Sequence, residues 1–208
     1  DYLARAGQTC SDKRQEFILL ADVLGLSMLT VAQNNAYAPG ATEATVFGPF
    51  YTVNTPTVPL GADIAGDAPG TPMYVQIQIR GLDGEPVPHA TVDTWQADDD
   101  GLYDVQIPGQ PPRARALLKA DEQGRAWFKT IVPVAYPVPT DGPVGDILRA
   151  TGRHPWRPAH VHFMIQAPGY RRLITHLFRD GDEYLDSDVV FGVRQSLEAD
   201  HDRRGCDR

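Results

Sequence analysis

Cysteine is scarce in this chain of 208 residues: there are two, Cys10 and Cys206, near opposite ends. That excludes a disulfide framework and a paired-cysteine metal site, and it points to a reduced, cytoplasmic setting. No apolar run approaches the ~20 residues that a membrane-spanning helix needs. The longest apolar-rich stretch, 17–31, is interrupted by Asp22 and Gly25. No basic start followed by an apolar run and a cleavage site opens the given residues. Positive charge is also short, with 19 Lys and Arg against 27 Asp and Glu, a net charge of −8. Nucleic acid and anionic membrane surfaces both attract a positive field, so neither is an expected partner.

What is plentiful is glycine and proline, 19 and 18, which favours short strands and turns over a helical bundle. With 42% apolar residues the chain can bury a core without staples. Residues 11–37 read as one helix. Ser11 is a plausible N-cap, and Phe17, Leu20, Val23, Leu24, Met28 and Leu29 recur at helical spacing before Pro39-Gly40 ends the run. From Ala41 the texture becomes β-rich. Tyr74-Val-Gln-Ile-Gln-Ile-Arg80 alternates apolar and polar, and Asp83-Gly84 supplies a turn. Further strands are expected over 90–96, 125–132, 159–166 and 173–178. Pro-rich stretches at 107–113 and 132–143 read as long loops, where sites are commonly built. The expected architecture is mainly β: a short N-terminal helical linker over 1–41, then an antiparallel β-sandwich over 42–208. Trp95 and Phe128 are expected in its core.

The sharpest motif is Arg157-Pro-Ala-His160-Val-His162-Phe163. On a strand, His160 and His162 project to one face and make half of a metal site. Six histidines are present, at 89, 154, 160, 162, 176 and 201. A carboxylate from Asp93, Asp98, Asp99 or Asp100 would complete a facial triad for ferrous iron or a zinc site. Two tyrosines are the other candidates: Tyr103 after the acidic turn 98–102, and Tyr136 in the second Pro-rich loop. A phenol normally ionises near pH ~10, so it needs a strong Lewis acid such as ferric iron to act as a ligand. A third reading is a non-enzymatic binding module for carbohydrate or protein, with Trp95, Trp127 and Trp156 as its surface.

Gly101-Leu-Tyr103, Val132-Pro-Val-Ala-Tyr136, Asp141-Gly-Pro143, Gly152-Arg-His-Pro-Trp-Arg-Pro-Ala-His-Val-His-Phe163 and Gly181-Asp-Glu-Tyr-Leu185 resemble the intradiol ring-cleavage dioxygenases in order, spacing and identity. Residues 16–29 and 41–51 extend the likeness towards the N-terminus. The resemblance implies a mononuclear non-haem Fe(3+) centre held by Tyr103, Tyr136, His160 and His162, with a solvent hydroxide. It implies a catechol-type diol chelating that iron, Tyr136 leaving the metal to take up a diol proton, and O2 reacting at the ring without an external reductant. Arg157 matches the arginine that stabilises negative charge developing on the ring. The ring then opens between its two hydroxylated carbons.

Within the family, the helical stretch 11–37 argues against the two-subunit protocatechuate enzymes. Leu19, Asp22, Val46, Phe47, Gly48, Pro49 and Phe50 look most like the hydroxyquinol (1,2,4-trihydroxybenzene) branch, where matching residues line the substrate cavity. An Asp beside the ring could accept a hydrogen bond from a third hydroxyl. His176 stands where plain catechol enzymes tend to carry Gln. Hydroxyquinol therefore ranks first as substrate, chlorocatechol second and catechol third. The resemblance further implies a homodimer through the N-terminal helices, with lipid between them, and a longer linker and one or two more strands beyond the two ends. The tail 198–208 reads as loop or frayed helix.

Overall fold

The computed structural model describes residues 1–35 and 38–199, so Tyr37, His201 and Cys206 lie outside it. Three short helices open the chain: α1 (Tyr2–Thr9), α2 (Glu16–Val23) and α3 (Leu26–Asn34). The single helix expected over 11–37 is therefore broken. Gly25 takes a left-handed backbone (φ 74°), and α2 and α3 diverge there by 77°. Ser11 does not cap a helix. Its Oγ accepts the N–H groups of Lys13 and Arg14 at 3.2 and 3.0 Å and turns the chain ahead of α2. No single helix among the described residues is long and apolar enough to cross a membrane.

What sets the start of α2 is a long-range contact. Glu16 is buried, pairs with Arg14, and accepts the Val144 N–H at 3.1 Å. Val144 lies in the first turn of α4 (Pro143–Ala150), so a carboxylate from one helix caps the positive end of another. Helix α4 was not anticipated, although Pro143 at its start and Val144, Ile147 and Leu148 at helical spacing mark it in hindsight. Leu20, Val23 and Met28 bury against Val46, Val138, Val144, Leu148 and Val189. Phe17, Leu24 and Leu29, expected on the same stripe, are about half exposed.

The β region has nine strands among the described residues. β1 (Pro72–Gln78) pairs with β4 (Arg125–Ile131). A five-stranded sheet runs β3 (Arg115–Lys119), β2 (Thr91–Trp95), β7 (His160–Gln166), β8 (Leu173–Arg179), β9 (Glu198–Ala199). β5 (Tyr136–Pro137) and β6 (Trp156–Arg157) form a short ribbon. All five anticipated strands are present, and β3 follows the first Pro-rich loop unforeseen. Pairing is antiparallel except β8 with β9, which is parallel, so residues 198–199 are strand and not loop.

Alternation divides the large sheet into two faces. Val92, Ala116, Leu118, Val161 and Phe163 pack with Val75, Ile77, Ala126 and Phe128 of the small sheet. Trp95, Met164 and Ile174 point the other way and cluster with Phe50, Tyr103 and Tyr136. Phe128 is fully buried, as expected. Phe128→Ala is expected to cost about 3–5 kcal/mol of unfolding free energy, read from urea unfolding curves.

Candidate metal centre

Three strands in register build one wall of the site. Trp95, His162 and His176 are direct cross-strand partners on β2, β7 and β8. Trp95 stacks on His162 with ring centroids 4.7 Å apart, and His176 meets His162 edge-on at 4.0 Å. His160 lies on the same face, two residues before His162.

Two loops deliver the tyrosines. Asp98 Oδ1 accepts the N–H groups of Asp100 and Leu102 at 3.1 and 3.0 Å, while Oδ2 holds Arg113 at 2.7 Å, so the turn before Tyr103 is closed. Gly101 has φ 75°, and a Cβ there would lie 2.8 Å from Tyr136 Cβ; glycine lets the two loops meet. Buried Asp104 accepts Arg115 Nε at 2.8 and 2.9 Å, tying the tyrosine loop to β3. Arg115 also donates to the Phe50 carbonyl at 3.1 Å, and Phe50 stacks on Tyr103 at 4.5 Å. Tyr136 is fixed by β5, in register with Arg157 on β6.

The outcome is a chain of close donor atoms. Tyr103 Oη stands 3.1 Å from Tyr136 Oη and 3.1 Å from His162 Nε2, which stands 3.1 Å from His160 Nε2. All four side chains are buried. Donors each ~2.0–2.1 Å from one shared cation stand about 3 Å apart, so this spacing fits a metal. His160 Nδ1 must donate to the Pro158 carbonyl, 2.6 Å away, which leaves Nε2 as a bare lone pair facing the cluster. Burial, helped by the charge of Arg157, holds His160 well below its usual pKa. Burial, with His176 and His160 alongside, does the same for His162. Neutral imidazole is the ligating form. Burial and the neighbouring Tyr136 push Tyr103 well above 10, and burial raises Tyr136 against the pull of Arg157. A cation among them would reverse that direction for both phenols.

No carboxylate joins this cluster among the described residues. The metal-competent His/Cys/Asp/Glu group there is His160, His162 and His176, with ligand atoms within 4.8 Å of one another. Asp98 is engaged with Arg113, and Asp93 bonds Thr55 and Tyr51. The facial-triad reading therefore lacks its third ligand. The three tryptophans do not form one surface: Trp95 is fully buried, whereas Trp127 is exposed and Trp156 is half-buried, stacked on Tyr184 at 5.4 Å. His89 is exposed beside Glu122, and His154 accepts the Trp156 N–H; neither approaches the cluster.

The family model described as "Dioxygenase" matches residues 46–206, and that described as "Catechol dioxygenase N terminus" matches residues 1–42. The chain belongs to the intradiol ring-cleavage dioxygenases. It is 62% identical over 201 residues to the 6-chlorohydroxyquinol 1,2-dioxygenase of Cupriavidus pinatubonensis, covering 96% of this chain and 73% of that protein. The solved hydroxyquinol 1,2-dioxygenase of Pseudomonas putida DLL-E4 matches with a TM-score of 0.90 and 49% identity, over 97% of this chain and 71% of that one. The solved catechol 1,2-dioxygenase of Pseudomonas arvilla C-1 matches with a TM-score of 0.88 and 34% identity, over 96% and 65%. The resemblance read from the motifs holds, as does the sandwich fold. This dioxygenase is an oxidoreductase, and its family implies non-haem iron.

In the dioxygenase, the expected pocket residues other than Asp22 fall into three groups. Gly48 and Phe50 touch the donor cluster directly: a Cβ on Gly48 would lie 3.2 Å from His162 Cε1. Phe47 reaches it through Trp95, ring edge to ring at 5.8 Å, and half-buried Pro49 lies between them in sequence. Leu19 and Val46 sit in the adjoining core with Val189 and Val190. Arg157 is buried, with Nη1 at 3.0 Å from His160 Nε2. Sequence reasoning missed Asp188, which pairs with Arg157, and left Trp95 without a place in the site; nothing in the sequence around Asp188 marks it.

Asp22 faces inward and is 2% exposed. Burial pushes its carboxyl from 3.8 up to about 6; Ser27 and Arg157 oppose the rise and Asp188 adds to it. A raised acid pKa favours the protonated folded state, so this contribution is fullest below pH ~4 and is lost as pH rises through about 6. Asp22→Asn removes that titration. The variant is expected to gain on the parent between pH 4 and pH 7 by roughly 2–3 kcal/mol in urea unfolding. A gap that does not change with pH would mean that Asp22 titrates normally.

Proposed function

We propose that this dioxygenase holds ferric iron through Tyr103, Tyr136, His160 and His162 and opens hydroxyquinol, or a ring-chlorinated hydroxyquinol, between the two adjacent hydroxylated carbons with O2. The product expected from hydroxyquinol is 3-hydroxy-cis,cis-muconate, or its tautomer maleylacetate. The observation that carries the reading is the run of 3.1 Å contacts linking the two phenol oxygens and two imidazole nitrogens. Phenolate is a hard, strongly donating ligand, which suits a ferric ion better than zinc or ferrous iron. The chemistry such iron supplies is Lewis acidity, which opens an electron-rich diol ring to attack by dioxygen.

The protein's own groups do the rest. Tyr136 Oη, close to Arg157, can take a diol proton as the substrate binds. Arg157 directs Nη1 at the cluster, where it meets negative charge developing on the ring; a fixed, water-excluded cation is effective in that role. Gly48 leaves room against His162, and Phe50 covers one face of Tyr103. The buried carboxylate of Asp22 is a ready acceptor for a third hydroxyl that catechol lacks. The relatives named for hydroxyquinols, at 62% and 49% identity against 34% for the catechol enzyme, support the same choice.

The test is a visible spectrum of the iron-loaded protein, with hydroxyquinol and then catechol added without oxygen. A broad visible band, shifting at lower hydroxyquinol than catechol concentration, is expected. Tyr103→Phe should bleach that band and weaken iron binding. Asp22→Asn should weaken hydroxyquinol ~10–100-fold and catechol far less. A colourless protein carrying stoichiometric iron would overturn the ligand set.

The same reading extends to assembly in the cytosol as a homodimer. Leu3, Phe17, Leu24, Leu26 and Leu29 on the N-terminal helices are about half exposed or more, an apolar area suited to a second copy or to a lipid chain between copies. Leu20, on the buried face, plays no part in it. Leu24→Glu with Leu29→Glu is expected to halve the mass seen by light scattering, and an unchanged dimer would remove the helices from the interface.

A further inference from the structure

We propose that Asp188 is the positioning residue of the reaction: it grips Arg157 from behind and so aims the guanidinium at the tyrosine–histidine cluster. The proposal rests on the role given above to Arg157. An arginine side chain has many rotamers, and burial alone does not choose among them. Here the choice is made by a fork. Arg157 Nε donates to Asp188 Oδ1 at 3.1 Å, and Nη2 donates to Oδ2 at 3.2 Å. Nη1 is the nitrogen outside that fork, and it is the one that stands 3.0 Å from His160 Nε2. His176 Nδ1 flanks Nη2 at 3.5 Å.

Asp188 is itself held. Its Oδ1 accepts the Val190 N–H at 3.3 Å and its Oδ2 the Gly192 N–H at 2.9 Å, while its carbonyl accepts the Phe191 N–H at 2.9 Å. The turn 188–192 is thereby closed around the carboxylate. Thr45 donates to the Gly192 carbonyl at 2.7 Å and locks the turn to the strap that leads to Val46. A Cβ on Gly192 would lie 3.1 Å from Arg157 Nη2, Asp188 Oδ2 and Thr45 Oγ1 alike. Guanidinium and carboxylate are both buried, so neither charge tolerates the loss of the other. Stability alone therefore cannot distinguish positioning from packing, and the test must read catalysis through Arg157.

The experiment is a double-mutant cycle on the iron-loaded enzyme, with Asp188→Asn, Arg157→Lys and the pair. Three quantities are read with hydroxyquinol: kcat, the anaerobic dissociation constant from visible titration, and the resting spectrum. Asp188→Asn is expected to lower kcat ~10²-fold, in the range found when one preorganised donor is lost. The dissociation constant should move far less, and the resting spectrum should not move. In the Arg157→Lys background, Asp188→Asn should cost no further kcat. Gly192→Ala leaves both charges in place but crowds the fork, so it should lower kcat in the same direction and show the same non-additivity. It supplies the cycle if Asp188→Asn does not fold. Losses that multiply in the double variant would overturn the proposal, because Asp188 would then act independently of Arg157. Full kcat in Asp188→Asn, or loss of the resting band in that variant, would overturn it as well. Full kcat in Arg157→Lys would overturn the role of Arg157 itself, and the proposal with it.

Discussion

The site depends on one strand serving two faces. Val161 and Phe163 of β7 anchor it in the core between the sheets, and that packing fixes which way His160 and His162 point. A slip of one residue would bury the imidazoles in the hydrocarbon core and turn the aliphatic side chains to the site. The cross-strand partners Trp95 and His176 extend the same constraint sideways, so three neighbouring strands must keep register for the donor atoms to meet.

Around that wall, buried charge does the placing. Asp104 with Arg115 fixes the Tyr103 loop, Asp188 with Arg157 fixes the cation, and Glu16 with Arg14 fixes the entry to α2. Such pairs add little net stability over apolar packing, but an ion left unpaired in the interior is costly. Their effect is on geometry: Asp188 and Arg157, 31 positions apart, and Asp104 and Arg115, 11 apart, each hold two segments in one arrangement, while Arg14 and Glu16, two apart, hold the turn into α2. Burial also keeps the imidazoles neutral and the phenols protonated, so a cation entering the proposed site would meet imidazole lone pairs and would have to displace the phenol protons.

Much of this was legible in the residues. The alternation in 74–80 and 159–166 reads directly as strand, and the His-x-His spacing reads as two side chains on one face. The motifs around Tyr103, Tyr136 and Arg157 carried the family. What was hidden was long-range. Periodicity continues across Gly25, so it could not reveal that α2 ends there, nor that Glu16 caps a helix more than a hundred residues away. Strand β3 reads poorly because Arg115, at its start, is buried in an ion pair instead of lying on a polar face. Asp188 sits in an unpatterned loop, and only the tertiary fold brings it to Arg157.

Trp95 carries an optical consequence. Its indole lies parallel to the His162 ring, with 15° between the planes, and is shut away from solvent, whereas Trp127 and Trp156 sit nearer the surface. A fluorophore locked to the face of that ring is placed to respond to whatever the ring binds. Filling the site is therefore expected to change the emission of Trp95, so the intrinsic fluorescence of this protein offers a gauge of occupancy.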